Sequence, residues 1–116
     1  MRVNETRVVV CRIDELEPVD ARGFSLDSAE DGHTGFVVRK NDAVHAYRNV
    51  CPHAGHALHW KPHRFLTRNL DLIMCSVHGA VFDIESGRCV GGPCPGRALT
   101  PLRAAVESGE VVIYPD

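Results

Sequence analysis

Short apolar runs alternate along this chain with polar, glycine-rich or proline-rich clusters, which recur about every eight to twelve residues. That spacing is typical of an all-β domain built from short strands. No long segment has the apolar period of an amphipathic helix, and only residues 63–69 are predicted to form a helical turn. We predict nine strands, over residues 6–12, 23–26, 35–39, 43–49, 72–75, 81–84, 88–90, 102–106 and 111–114.

Short polar segments between neighbouring strands predict three β-hairpins, with turns at residues 40–42, 85–87 and 107–110. Gly87 suits a turn position that needs a positive φ. The longer polar segment 27–34 is also predicted to be a turn.

Two segments fit neither a strand nor a hairpin. Residues 51–61 are loop-like and carry cysteine and histidine, and residues 91–96 read Gly-Gly-Pro-Cys-Pro-Gly. Prolines restrict the backbone of such a loop, and glycines allow other groups to approach it closely. Binding residues commonly lie on rigid loops of a β scaffold, so these two loops are the candidate positions for a site.

The composition indicates one ordinary globular domain. The chain has 116 residues, of which 44% are hydrophobic and 24% charged, which argues against disorder. A net charge of −2 gives no reason to expect binding to nucleic acid or to a membrane surface. Apolar runs such as residues 8–11 are too short to span a bilayer. The first residues show no signal peptide, so we expect a cytoplasmic location.

Cysteine and histidine are numerous and concentrated in one region. The chain has five cysteines and seven histidines. An odd number of cysteines cannot all pair within one chain, and in a reducing compartment such a surplus indicates metal or redox chemistry. Five of the histidines lie within residues 51–78, namely His53, His56, His59, His63 and His78.

Two short motifs each combine one cysteine with one histidine. Cys51 and His53 form a C-x-H pair, and after 21 intervening residues Cys75 and His78 form a C-x-x-H pair. Thiolates suit iron and bridging sulfide, whereas two neutral imidazoles can replace two thiolates on one iron and raise its potential. Two such loops could hold a two-iron cluster. A Cys₂His₂ zinc site is the alternative, although paired zinc ligands usually have at least two residues between them.

At these motifs the chain resembles the Rieske family, and specifically its small soluble Rieske-type ferredoxins. The resemblance rests on Cys-Pro-His-Ala-Gly-His at residues 51–56 and on Cys-Ser-Val-His-Gly-Ala-Val-Phe-Asp at residues 75–83. It extends over about residues 44–114, while the first forty residues match only as generic strands. It implies the Rieske fold, an antiparallel β-sandwich with a small cluster-binding subdomain formed by two ligand loops.

The resemblance also implies a cofactor and its ligands. One [2Fe–2S] cluster per chain would be bound through Cys51 and Cys75 on one iron and through His53 and His78 on the other. Pro93 would cover the cluster from a third side. We expect a single domain over residues 1–116, with the cluster-binding subdomain at about residues 50–96.

Two departures from the family pattern bear on the cofactor. Rieske proteins of membrane complexes carry an extra cysteine in each ligand loop and join them in a disulfide, but here His56 and Val77 occupy those positions. High-potential members carry a serine and a tyrosine that donate hydrogen bonds to the cluster, where this chain has Ala80 and Phe82. Fewer donors predict a potential of about −150 mV rather than +300 mV.

The other notable residues have plainer interpretations. We expect Cys11, Cys89 and Cys94 to be structural, with Cys94 the strongest exception because its loop should approach the cluster. Cys89 and Cys94 have the C-x₄-C spacing of plant-type ferredoxins, but the C-x₂-C continuation is missing. His56 is expected to be a solvated loop side chain, with a hydrogen bond to a cluster ligand as the alternative. Trp60 is expected to be a core or loop-packing residue, with a docking role as the alternative.

The function implied by the resemblance is that of an electron carrier and not of an enzyme in itself. It would pass single electrons from a flavin reductase to a terminal oxygenase, whose chemistry we expect on another polypeptide. The alternatives are a small subunit of a nitrite reductase-type complex and an iron–sulfur sensor. Three basic residues, Lys61, Arg64 and Arg68, are predicted to form a basic collar that orients an acidic redox partner, unless they are an ordinary solvated face.

Overall fold

The computed structural model describes residues 7–25, 34–52, 57–76, 79–92 and 96–114. Within these residues the chain forms nine strands and one 3₁₀ turn at Ile13–Glu15, so the predicted all-β class is confirmed. In this described part, no helix is long and apolar enough to cross a membrane. The strands are β1 Val8–Arg12, β2 Val19–Phe24, β3 Gly35–Lys40, β4 Ala43–Arg48, β5 Ile73–Met74, β6 Val81–Phe82, β7 Cys89–Gly91, β8 Pro101–Glu107 and β9 Glu110–Tyr114.

Six strands form one antiparallel sheet in the order β1-β9-β8-β4-β3-β2. Strand β8 joins two halves of this sheet, because Pro101 and Leu102 pair with β4 whereas residues 103–107 pair with β9. Buried side chains from both halves, such as Val37 and Ile113, form one hydrophobic cluster. The two halves therefore pack as the layers of a β-sandwich.

Two of the predicted hairpins join strands of the large sheet. The β3–β4 turn has Asn41 at φ +58. The β8–β9 turn has Ser108 and Gly109 at φ +52 and +78, and two positive φ values in succession are what a two-residue type I′ turn requires.

Strand β3 is buried on both faces and connects the large sheet to the rest of the fold. Val37 faces the sandwich core, whereas its neighbours Phe36 and Val38 belong to a second buried cluster. This separation follows from the two-residue alternation of side chains along a strand. The second cluster includes residues of the small sheet, which has the order β5-β6-β7. Burial against β3 thus positions the small sheet and the loops beside it.

The predicted second strand was misplaced, because β2 begins at Val19 and not at Gly23. Its first four residues, Val-Asp-Ala-Arg, include small and charged types with low strand propensity. They are held in the strand by antiparallel pairing with β3 over its full length. Residues 26–33, which contain most of the predicted turn, lie outside the described residues.

The predicted helical turn at residues 63–69 is wrong. Met74 N–H donates to the Phe65 carbonyl at 2.9 Å and Leu66 forms a β-bridge with Ile73, so this segment is one side of an extended hairpin. His63 and Leu70 adopt φ values of +67 and +60, which a right-handed helix does not allow. The hairpin ends directly before Cys75.

Candidate metal centre

The two predicted cysteine ligands lie in the second buried cluster. Cys51 and Cys75 are each 1% exposed, and the same cluster contains Leu58 and Phe82. Neither cysteine is part of a disulfide among the described residues. Two soft donors within one apolar cluster suit a thiophilic metal that must be kept away from water.

The first cysteine loop is closed by a buried asparagine that the sequence analysis did not single out. Asn49 follows β4 and is 5% exposed. Its Oδ1 accepts the Leu58 N–H at 2.7 Å, and its Nδ2 lies 3.0 Å from His59 Nδ1. One side chain therefore ties the residue before the loop to two residues after it, and Cys51 lies inside the closed segment.

Hydrogen bonds join the described ends of the second cysteine loop. Cys75 N–H donates to the Ala80 carbonyl at 2.8 Å, and Gly79 N–H donates to the Cys75 carbonyl at 3.0 Å. Gly79 has φ +74, a conformation that side chains disfavour, which explains a glycine after the second motif. The loop returns the chain to β6 and fixes the backbone on both sides of Cys75.

Direct hydrogen bonds join the two cysteine loops. Ser76 N–H donates to the Leu58 carbonyl at 3.0 Å, and Ser76 Oγ donates to the His59 carbonyl at 3.3 Å. The same two residues that Asn49 contacts after the first loop therefore also contact the second loop.

The glycine- and proline-rich segment after β7 supports both loops. Gly92 has φ +92, and a Cβ there would lie 2.6 Å from Ala80 Cα. Arg97 Nη1 donates to the Pro52 carbonyl at 3.1 Å. A third part of the chain, through Gly92 and the Arg97 side chain, thus contacts both cysteine loops.

Both predicted histidine ligands, His53 and His78, lie outside the described residues. The same holds for His56, Val77, Pro93 and Cys94. Among the described residues, no group of three or more histidine, cysteine or acidic side chains is arranged to hold a metal ion. The four-residue ligand set therefore stays a prediction.

Two histidines of the concentrated region have structural contacts instead. His63 Nδ1 accepts the Gly23 N–H at 3.0 Å, which connects the hairpin to β2. The pKa of His63 is lowered mainly by partial burial of its ring and to a smaller extent by the positive charge of nearby Arg22. His59 contacts Asn49, and its ring packs against the Phe65 ring with the two ring centroids 5.4 Å apart. A count of histidines could not separate these roles, because both depend on partners distant in sequence.

The remaining cysteines and Trp60 differ in their surroundings. Cys11 is buried in the sandwich core, which raises its thiol pKa, as expected for a structural residue. Cys89 is half-buried in β7 and its Sγ donates to the Gly91 carbonyl at 3.2 Å. Trp60 is 48% exposed, with the Lys61 ammonium 5.5 Å from its ring centre, so it does not lie in the core.

The three basic residues do not lie at one place. Lys61 and Arg64 form a β-bridge beside Trp60, next to the residues that contact Ser76. Arg68 lies in the turn closed by the Thr67 N–H bond to the Leu72 carbonyl, at the far end of the hairpin from Cys75. All three are exposed. Only two of them are therefore near the cysteine loops.

Comparisons with known proteins give one family match and several structural matches. A family model described as the Rieske [2Fe–2S] domain matches residues 6–114. The ferredoxin of carbazole 1,9a-dioxygenase from Nocardioides aromaticivorans IC177 aligns with a TM-score of 0.74 and 26% identity, over 95% of this chain and 98% of that one. A chain from a complex of reduced oxygenase and oxidized ferredoxin in carbazole 1,9a-dioxygenase aligns with a TM-score of 0.75 and 25% identity, over 96% and 94% of the two chains.

A third structure shows the same fold at lower similarity. It is a putative NADH-dependent nitrite reductase small subunit from Mycobacterium tuberculosis, with a TM-score of 0.63 and 22% identity, over 92% of both chains. No protein with a curated description matches the sequence significantly.

Proposed function

Because the chain belongs to the Rieske [2Fe–2S] domain family, we propose that it is an electron carrier whose single cluster is held by Cys51, His53, Cys75 and His78. The observation that carries the proposal is the pair of buried thiols on two loops that hydrogen bonds tie together. The matching structures from carbazole dioxygenase support it, because one of them is itself described as a ferredoxin.

The residues present fit such a cluster in their chemistry. Cys51 and Cys75 supply the soft thiolate donors that one iron would need, and the backbone around each is fixed by hydrogen bonds. His53 and His78 would supply neutral imidazoles to the second iron. The bound cluster would accept and release one electron. The chain's own residues would hold the ligands in place, exclude water and set the potential.

The residues beside the cysteines favour a potential at the low end of the Rieske range. Ala80 and Phe82 are completely buried in the same cluster as Cys51 and Cys75, and neither carries a hydroxyl group. Without a hydroxyl donor at these two positions, the more negative, reduced state is less stabilised. We therefore retain the proposed potential of about −150 mV.

The partners proposed for the carrier are a reductase and a terminal oxygenase. Support comes from the matching structure that is described as a complex of oxygenase and ferredoxin. In this proposal the chain is a component of a multi-protein oxidoreductase system and catalyses no reaction itself. The cytoplasmic location predicted from the sequence belongs to the same proposal.

A small-subunit role in a nitrite reductase-type complex is the alternative. The fold likeness to a putative subunit of that kind favours it, although at 22% identity the likeness concerns the fold alone. Purification from the native host separates the two. A carrier should leave the column without a partner, whereas a subunit should co-elute with a large reductase at a fixed ratio.

Metal analysis of protein made anaerobically tests the proposal. We expect two irons and two acid-labile sulfides per chain, and rapid reduction by a flavin reductase supplied with NADH. Replacing Cys51 or Cys75 with serine should abolish the cluster. Cys11→Ser and Cys89→Ser are the matched controls and should retain it. Zinc without iron in the wild-type protein would refute the proposal.

A further inference from the structure

The Asn49 amide has an orientation that its surroundings fix. A backbone N–H can only donate, so the Leu58 N–H identifies the atom that it meets as the carbonyl oxygen, Oδ1. The opposite atom, Nδ2, is then the donor that faces His59 Nδ1 at 3.0 Å. The contact therefore runs from the Asn49 amide to the His59 ring.

The two residues that Asn49 holds lead directly to the other cysteine loop. The Leu58 carbonyl accepts the Ser76 N–H, and the His59 carbonyl accepts the Ser76 hydroxyl. Ser76 follows Cys75, and Asn49 precedes Cys51 by two residues. A short chain of hydrogen bonds, which we call the Asn49 network, thus connects the two cysteine loops through Leu58 and His59.

We propose that Asn49 is a positioning residue that acts through this network to fix Cys51 relative to Cys75. The inference rests on the proposed function, because fixing the two thiols matters only if both bind one cluster. Among the described residues, Asn49 is the only polar or charged one that is buried. Burial of an amide is unfavourable unless its hydrogen bonds are made, and here both ends have partners on the loops in question.

Tyr47 offers a matched control in the same buried cluster. It is 3% exposed, and its hydroxyl donates to the Ile84 carbonyl at 2.6 Å. Like Asn49, it makes a buried hydrogen bond from a side chain to the backbone. Its partner lies in the hairpin between β6 and β7, so Tyr47→Phe removes a comparable bond without touching either cysteine loop.

The experiment compares Asn49→Leu, Asn49→Asp and Tyr47→Phe, each purified with its cluster. We measure the rate of iron loss to a chelator, the line widths of the EPR spectrum of the reduced protein, and amide hydrogen exchange in residues 57–76. Asn49→Leu should lose iron about tenfold faster, which corresponds to about 1.4 kcal/mol. It should also broaden the EPR lines and speed exchange in residues 57–76.

The two other variants separate positioning from stability. Asn49→Asp keeps the acceptor for the Leu58 N–H and should lie between Asn49→Leu and the wild type. Tyr47→Phe should leave the EPR line widths and the iron-loss rate within about twofold of the wild type, even where it lowers thermal stability. Equal effects of Asn49→Leu and Tyr47→Phe, or none from Asn49→Leu, would overturn the inference alone. A wild-type protein that binds no cluster would overturn the proposed function first, and the inference with it.

Discussion

Replacing Gly92 with alanine should disturb the second cysteine loop from outside. A Cβ at this position would lie 2.6 Å from Ala80 Cα and 3.1 Å from Ala80 N. Both are backbone atoms of a turn that the Cys75–Ala80 hydrogen bond closes, so relief of the clash must move that turn or the Gly92 segment. Gly96→Ala is the matched control, because Gly96 also has a positive φ, +81, but nothing lies within 4 Å of its Cβ position.

The two substitutions share a backbone cost and differ in a packing cost. A side chain at positive φ costs about 1–2 kcal/mol. At Gly92 the overlap with Ala80 adds about 1–3 kcal/mol, as in other overpacked sites. With about 4 °C per kcal/mol for a chain of this size, Gly96→Ala should lower the melting temperature by about 4–8 °C and Gly92→Ala by about 8–20 °C.

Calorimetry at one scan rate, on anaerobically prepared protein, measures both shifts, and the release of iron is followed in parallel. We expect Gly92→Ala to release iron at a lower temperature than Gly96→Ala does, because only the first clash reaches the loop of Cys75. Equal shifts for the two variants would refute the reasoning. So would a large shift at Gly92 with iron release as in the wild type, because the segment would then not support the second cysteine loop.

Phe82→Tyr should raise the midpoint potential by some tens of millivolts in a redox titration, because a hydroxyl beside the thiolates would stabilise the reduced state. A wild-type midpoint near +200 mV would contradict the low potential that we expect without hydroxyl donors at Ala80 and Phe82. In a stopped-flow assay, Arg64→Glu should slow the reduction of this protein by the reductase at low salt and not at high salt. Arg68→Glu should have a smaller effect, because Arg68 lies farther from Cys75. Equal effects of the two variants would show that distance from Cys75 is unimportant. His63 has a lowered pKa in the folded protein, so its contribution to stability is present above about pH 6.5 and is lost as the pH falls through the folded value. In His63→Asn, asparagine tolerates the positive φ and can still accept the Gly23 N–H. The free energy of unfolding, measured in urea, should therefore depend less on pH between about pH 5 and 7 than it does in the wild type. An unchanged dependence of that free energy on pH would exclude His63 as the titrating group.

Hairpins were the part of the fold that the sequence predicted best. The β3–β4 and β8–β9 hairpins have turn residues whose backbone conformation is set locally. Along their strands, apolar residues either alternate with polar ones or form a continuous run. The two motifs with Cys51 and Cys75 were equally accessible, because their spacing is a local property of the chain. In both cases the residues that carry the information lie within a few positions of one another.

Features that depend on distant partners were missed. Strand β2 has weak local propensity and is held by pairing with β3, so its first four residues gave no strand pattern. Asn49 fastens the first cysteine loop to residues nine and ten positions later, and nothing in its own neighbourhood indicates this. The segment 63–69 was assigned to a helical turn because its pairing with Ile73 and Met74 could not be foreseen.

The central claim is that two cysteines and two histidines bind the cluster, and pulsed EPR of the reduced protein labelled with ¹⁵N-histidine tests it most directly. We predict two histidine nitrogens coupled to the electron spin of the cluster, and we expect one coupling to disappear in His53→Cys or His78→Cys if the cluster survives. Cys11→Ser should leave both couplings unchanged. A cluster spectrum without any histidine coupling, or with no change in either histidine variant, would contradict the account.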